Sequence, residues 1–594
     1  MRTPLLLFFA CLLAVAAPAQ AASVAEVEIV GLDEEMTENV RVSLSAVDAI
    51  GRQVPPRRIE YLVRVAEEET REALAPFGYY SPEISIQRSG RGDDIALTIT
   101  VDPGEPVRVR HADIAIVGEG GKDRYLKRDL ARFKPAQGEV FDHATYEKSK
   151  LRITHRLAER GYFDADFASR RVEVTRADNA ADIDLAWTSG ARYDMGPTTF
   201  EQSPEAIIRE SLLRKLLYWN EGEYYHQGRL DRLRKSLVRL DYFSQIDIQP
   251  LPGEAVNKRV PVQVTLKPAK RTIYTVGLSY GSESGAGVSL GLERRYVNDR
   301  GHKALAQLDY AENLKSLTLQ YRIPAFAWLD GWYTFSLKAT DEMSKYIDDR
   351  RVEFVAARSG EINQHLNAVV SLHALRERWY FQVADDGGAL AEPDYRYASL
   401  LYPQLRGEYI DVDDRLFPTR GIGGSLRLAG AVEGAGSDAS FGQVQARATW
   451  FKGLGERNRL IVRGEIGHTF VDLLTDLPPS LRFYAGGDRS IRGYEFREVG
   501  PSIAIDGGER YSTGARNLVT ASVEFERYFN PTWGGAVFVD GGDAFNGSTP
   551  DWHVGVGIGV RYRSPVGPIK FDIARGLDDP NSPFTIGLSI GADF

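Results

Sequence analysis

Cysteine is almost missing from this chain. Its 594 residues hold only Cys11, beside four methionines and nine histidines. Cys11 lies in a segment expected to be cleaved, so the mature chain is expected to have no thiol, which excludes disulfide scaffolds and cysteine nucleophiles. No histidine stands in an H-E-x-x-H or similar ligand spacing; His143, His155 and His226 read as surface or core residues. Past the N-terminus no stretch approaches the roughly 18 consecutive apolar residues of a membrane helix. Charge of one sign is lacking too. The 73 Lys and Arg against 82 Asp and Glu leave a net charge of −9, with no basic excess for nucleic acid and no single-sign block for an interaction tail.

What is present begins with export. Arg2, an apolar stretch over residues 5–17 and the small-x-small triplet Ala19-Gln20-Ala21 make residues 1–21 an expected secretory signal peptide. The bulky Phe8-Phe9 before Cys11, and the place of that cysteine inside the apolar run, argue against a lipoprotein signal. A chain of this length exceeds one hydrophobic core, so several domains are expected.

At the other end, Phe584, Ile586, Leu588, Ile590, Ala592 and Phe594 alternate with Thr585, Gly587, Ser589, Gly591 and Asp593. Period-two alternation puts one face in an apolar phase and the other in water. A soluble sandwich shows this pattern as well, but the terminal aromatic is what an outer-membrane barrel is expected to end on. Val554, Val556, Ile558, Val560 and Tyr562 alternate with glycines and arginines, and Ile569, Phe571 and Ile573 alternate with Lys570, Asp572 and Ala574. From residue 269 onward this pattern reads as an all-β transmembrane barrel, opening with Tyr274, Val276, Leu278 and Tyr280 against Thr275, Gly277 and Ser279. At roughly 20 residues per strand and connection, it holds about sixteen antiparallel strands.

The N-terminal half repeats. Ile29-Val30-Gly31 recurs as Ile116-Val117-Gly118, and a helical run leads into an aromatic pair three times: Tyr79-Tyr80, Tyr162-Phe163 and Tyr242-Phe243. Strands are expected after each pair, over 83–87, 165–173 and 245–249, and again over 95–101, 181–187 and 260–266. Each unit is a small α+β module whose Gly or Asp before the pair turns helix into strand and whose aromatics cap the small core. The expected modules are 22–104, 105–190 and 191–268.

One segment departs from the strand pattern. Residues 483–496, F-Y-A-G-G-D-R-S-I-R-G-Y-E-F, lie in a long connection, with Arg492-Gly493-Tyr494 as a tight tip. Val523 and Phe525 face lipid, which turns Glu524 and Glu526 inward, and Val537 and Val539 do the same for Asp540. A loop folded into the lumen would bring Arg492 to Glu524 and Asp540, and the planar guanidinium suits bidentate bonds to them. A solvated loop with an incidental arginine is the alternative.

With D-D-R-L-F-P-T-R-G (413–421), G-G-D-R-S-I-R-G-Y (486–494), F-V-D-G-G (538–542) and residues 557–572 added, the mature chain resembles the outer-membrane insertase and translocase superfamily. Its repeats resemble polypeptide-transport-associated (POTRA) domains. Three repeats at this length resemble the TamA branch, the outer-membrane subunits of translocation and assembly modules. The central assembly-machine subunits carry more repeats, and the two-partner secretion pores fewer.

The resemblance implies an outer-membrane protein with periplasmic N-terminal domains and no catalytic residues, cofactor or metal. Arg492, Gly493 and Tyr494 match the family's lumen-loop motif, and Glu524 and Asp540 match its docking acids. It also implies a weak lateral seam between first and last strands, with Tyr274, Val276, Gly277, Gly587, Gly591 and Phe594 along it; glycine weakens strand pairing there. Implied partners are an inner-membrane-anchored TamB-type protein docking on the repeats, unfolded outer-membrane clients such as autotransporters, and outer-membrane lipid. The competing functions are a two-partner-secretion pore and phospholipid transport. A passive porin would not need the repeats.

Other signals are read as structural. Gly287-Val288-Ser289-Leu290-Gly291 and residues 281–285 match G-x-S-x-G, but a nucleophile elbow needs a strand, a turn and a helix, and the pattern here is that of strands. Asp348-Asp349 and Asp385-Asp386 are expected in turns or extracellular loops.

Overall fold

The computed structural model describes residues 22–90, 94–281, 284–326, 328–343, 347–381, 394–504, 510–565, 567–578 and 583–591. The signal segment, Asp385-Asp386 and Phe594 lie outside the described residues. The chain is α+β repeats followed by a sixteen-stranded antiparallel sheet. It divides into two compact units, and the division runs through the third repeat.

In the first unit, the first repeat orders its strands Gln53–Val54, Ala22–Val30, Asp94–Asp102 and Glu83–Ser89. Helices Glu34–Ser43 and Pro56–Leu74 close one face over Val24, Val40, Ile59, Leu62, Leu97 and Ile99. The second repeat orders Arg108–Val117, Ala180–Thr188 and Asp166–Thr175, and its helices Arg124–Ala131 and His143–Glu159 bury Leu126, Ile153, Leu157 and Trp187. At the helix-to-strand turns Gly78, Gly161 and Asp241 take φ of +92°, +87° and +56°, the left-handed conformation such turns require.

The aromatic pairs do more than cap their own modules. Tyr80 packs on the second repeat's core and its hydroxyl lies 2.6 Å from His143 Nε2. Phe163 meets Tyr193 and Tyr225 of the third repeat edge-on, with ring centroids 5.6 and 4.7 Å apart. One ring of each of these pairs therefore joins its repeat to the next, contributing about 0.5–1.5 kcal/mol beyond buried area.

Asp123 supports the second repeat in two ways. It caps helix Arg124–Ala131 by accepting from the Tyr125 amide at 2.9 Å, and it accepts from Arg160 Nε at 2.5 Å. Burial pushes its carboxyl up, but the bonds from Arg160 and Tyr125 outweigh that and hold it below the ordinary range. A depressed carboxyl stabilises the fold above its unfolded pKa, and the contribution disappears as pH falls through the folded value. Asp123→Asn keeps a capping side chain but loses the charge. It is expected to cost about 1–3 kcal/mol at neutral pH, with the gap to wild type closing below about pH 4. Hydrogen exchange across residues 124–131 of the full chain reads the effect.

In the second unit, the sixteen strands follow chain order from Thr272–Gly281 to Phe584–Ile590, each antiparallel to the next, with the antiparallel pair Ser502–Ala504 and Arg510–Ser512 standing apart. Outward positions are apolar and exposed, among them Leu317, Leu337, Phe354, Leu372, Val523 and Val537. Inward positions carry the buried charges Glu524, Glu526, Asp540, Arg561 and Asp572. Within this unit the Tyr242 hydroxyl donates to the Gly301 carbonyl at 2.5 Å and Arg295 Nε bonds Asp241 at 2.7 Å. Asp348 and Asp349 are not in a turn: both lie in strand Ile347–Glu361 and are buried. They are tolerated there because Arg378 and the Tyr395 hydroxyl meet Asp348, while Arg351 meets Asp349 at 2.8 Å. Ser289 sits inside strand Gly285–Arg294, bonded to Asp309, and no nucleophile elbow forms.

Candidate functional site

Between strands Asn458–Val471 and Asn517–Tyr528 the described residues 472–504 and 510–516 lie outside the sixteen-stranded sheet. This loop folds around a core of its own: Phe483, Ala485, Ile491, Tyr494, Val499 and Ala515 bury against Leu518 and Ala544 of the wall. An apolar cluster of this kind holds the polar tip in one place, which an extended solvated loop does not.

The tip is Arg492. Its guanidinium donates from Nε to Asp540 Oδ2 at 2.6 Å and from Nη2 to Asp540 Oδ1 at 2.9 Å, a bidentate fork. Nη1 donates to Glu524 at 2.7 Å and to Asp572 at 3.1 Å, and the plane sits 3.3 Å over the Phe538 ring. The Arg492 backbone amide adds a bond to Asp540 at 3.1 Å.

Arg561, from the neighbouring strand, bonds Glu524 at 2.8 Å, Glu526 at 3.1 Å and Asp572 at 2.6 Å. Arg459 bonds Glu526 at 2.5 Å. Each of these three arginines and four carboxylates is no more than 8% exposed. Forming such a buried network adds little net stability, whereas removing one member leaves an uncompensated charge. Its main effect is to fix where the loop sits.

Gly493 makes the approach possible. Its φ is +99°, and a Cβ there would lie 2.5 Å from the Arg575 carbonyl carbon and 2.7 Å from the Gly576 amide nitrogen. Its amide donates to Thr585 Oγ1 of the last strand at 3.1 Å, and its carbonyl accepts from Gly576 at 3.1 Å. The Tyr494 hydroxyl bonds Asp578 and the Val554 carbonyl.

The structure thus brings Arg492, Gly493, Tyr494, Glu524 and Asp540 into one cluster. The seam residues behave differently. Tyr274 and Val276 point outward at 77% and 74% exposure, and Ile586 and Leu588 at 70% and 62%, against 49% for Val523 in mid-wall. The excess reflects a missing flanking strand: among the described residues no ladder joins Thr272–Gly281 to Phe584–Ile590. Gly277 faces Ser289 across the first hairpin, and Gly591 takes φ +125° in open space. Gly587 has a role beyond a weak strand position, since a Cβ there would run into the Asp488 carboxylate of the loop.

The sequence reading missed Arg561, Asp572, Arg459 and Thr585 as members of the site. Alternation alone marked Arg561 and Asp572 as inward, but which strand each would face depends on register.

Residues 408–594 match the Omp85 superfamily domain, 26–103 match "POTRA domain TamA domain 1", and 109–186 match the POTRA family described as surface antigen variable number repeat. The chain is 23% identical over 432 residues to the outer membrane protein assembly factor BamA of Neisseria meningitidis serogroup B, covering 62% of this chain and 52% of that protein. It is 24% identical over 386 residues to BamA of Nitratidesulfovibrio vulgaris, covering 62% and 47%. The chain thus spans about half the length of these curated relatives. The crystal structure of BamA from Haemophilus ducreyi lacking POTRA domains 1–3 superposes with a TM-score of 0.62 at 16% identity, covering 82% of this chain and 99% of that one. That likeness is one of fold.

Proposed function

Taking this chain as an Omp85-superfamily protein with POTRA domains, set in the outer membrane with its repeats in the periplasm, we propose that it inserts and translocates β-barrel client proteins, autotransporters in particular. It works with an inner-membrane-anchored TamB-type partner docked on the repeats. The observation that carries the reading is where the motif loop is tied. Arg492 holds the wall strands, Gly493 bonds the last strand through Thr585, and the outer edges of the first and last strands carry no ladder among the described residues. A client strand would add to one of these edges by backbone hydrogen bonding, the β-augmentation mode.

Wall height supports the same reading. The last strand is described over seven residues and its neighbour Gly567–Gly576 has ten, while Ile347–Glu361, Leu366–Phe381 and Arg396–Val412 have fifteen to seventeen. A short wall against a hydrocarbon core about 30 Å thick thins the bilayer beside the seam and lowers the barrier to insertion. The TamA-type match of the first repeat supports the TamB-type partner.

The test is surface display of an autotransporter in cells depleted of this chain. Display is expected to fall and to return with the wild-type chain, but not with a chain lacking residues 26–103. Undiminished display in depleted cells would contradict the proposal.

A further inference from the structure

The outer face of the wall carries a row of charges where a barrel exposes apolar side chains. Cross-strand register aligns Tyr310, Lys315, Asp341, Arg350, Arg378 and Tyr397 side by side over six consecutive strands. All lie on the outward face, in phase with the exposed Leu317, Leu337, Phe354, Leu372 and Leu401 of the same strands. Arg376 stands one step nearer the membrane, opposite Val352.

The row's height follows from strand geometry. Arg350 and Arg358 lie on the same face of one strand, with only Val352, Phe354 and Ala356 between them on that face. Eight residues at about 3.3 Å and a tilt of about 40° span about 20 Å, close to the apolar band of about 25 Å on an outer-membrane barrel. Arg350 lies toward the extracellular end of its strand, because the first strand starts at the periplasmic repeats and each following strand reverses direction. The row therefore sits at headgroup level in the outer leaflet.

One cation of the row and one beside it are uncommitted. Arg350 pairs with Asp341 at 3.1 Å and Arg378 with Asp348 at 3.3 Å. Lys315 has no carboxylate partner among the described residues and lies 5.4 Å from the Tyr310 ring centroid, and Arg376 has none either. Arg378 Nε is buried without a hydrogen-bond partner. Beneath the row runs a groove of about 460 Å3 floored by Leu308, Leu317, Ala339 and Val352. Free cations at headgroup height above an apolar groove match a lipid with anionic phosphates and acyl chains.

We propose that this row binds the phosphate groups of an outer-leaflet glycolipid, with an acyl chain laid along the groove. Lys315 and Arg376 supply the free donors, and the binding anchors the wall away from the seam.

The test is native mass spectrometry of the full chain in detergent with bisphosphorylated lipid A, monophosphoryl lipid A and phosphatidylglycerol as probes. Lipid A is expected to bind at least about tenfold more tightly than either of the others, since a charge-assisted contact is worth about 1.5 kcal/mol or more. Lys315→Gln/Arg376→Gln is expected to remove that preference, and Arg358→Gln, at the periplasmic edge of the same face, to keep it. Heat-dependent migration in gels checks that each variant has folded, and the comparison of probes on the wild-type chain needs no variant. Equal binding of all three lipids, unchanged binding by the double variant, or displacement by inorganic phosphate alone would overturn the assignment.

Discussion

Arg492→Ala is expected to free the motif loop from the wall. The substitution strips Asp540 of both guanidinium bonds and Glu524 of one, while Asp572 and Glu524 keep Arg561. Asp540 is fully buried, so its orphaned charge dominates the loss. Breaking a buried pair from one side costs about 3–5 kcal/mol, comparable with everything that holds the tip in place.

The expected readouts are protease cleavage and fast hydrogen exchange over residues 483–499, with reduced client assembly. Arg492→Lys is expected to fall between, because an ammonium restores the charge but not the fork. Arg492→Ala/Asp540→Asn is expected to recover part of the loss by removing the orphaned charge. Unchanged protection and unchanged assembly in Arg492→Ala would contradict a lumen-docked loop.

Gly493→Ala is expected to produce nearly the same outcome by a steric route. At φ +99° a Cβ is strained in itself, and the atoms it would strike, the Arg575 carbonyl carbon and the Gly576 amide nitrogen, are backbone of a paired strand. They cannot rotate away as a side chain can, so the tip must lift and lengthen its bonds to Thr585 and Gly576. Strain and overpacking together amount to about 2–4 kcal/mol.

Gly455 is the control. It has φ +78° with no atom within 4 Å of a built Cβ, so Gly455→Ala carries the conformational strain alone. Thermal loss of heat-dependent migration and exchange over residues 483–499 separate the two. Equal effects at Gly493 and Gly455 would contradict the close approach.

What could be read in the sequence follows the range of each signal. Period-two alternation is local, so it points Glu524, Glu526, Asp540, Arg561 and Asp572 inward without further information. It does not say that Arg561 spans Glu524 and Asp572, because that depends on cross-strand register. Gly587 is ambiguous for the same reason: a glycine in a strand suggests weak pairing, while its place beside Asp488 is visible only once the loop is folded.

The aromatic pairs of the repeats stand out by recurrence, yet the reach of Tyr80 and Phe163 into the next repeat is a docking outcome. Asp348-Asp349 misled because adjacent carboxylates usually mark a turn. Their partners Arg378, from the next strand, and Tyr395, just ahead of strand Arg396–Val412, become neighbours only through folding, while Arg351 stands two places along the same strand. The outward row from Tyr310 to Tyr397 is scattered over nearly ninety residues and has no sequence signature at all.

The central claim is that the edge between the first and last strands opens during client assembly. One cysteine at Gly277 and one at Ser589, scanned through neighbouring registers, lock it directly. The only native cysteine, Cys11, lies in the expected signal segment, so the background is clean. Assembly of an autotransporter client is followed in oxidised and reduced cells. Arrest on oxidation with recovery on reduction is the predicted result; full assembly with the edge locked would contradict a working seam.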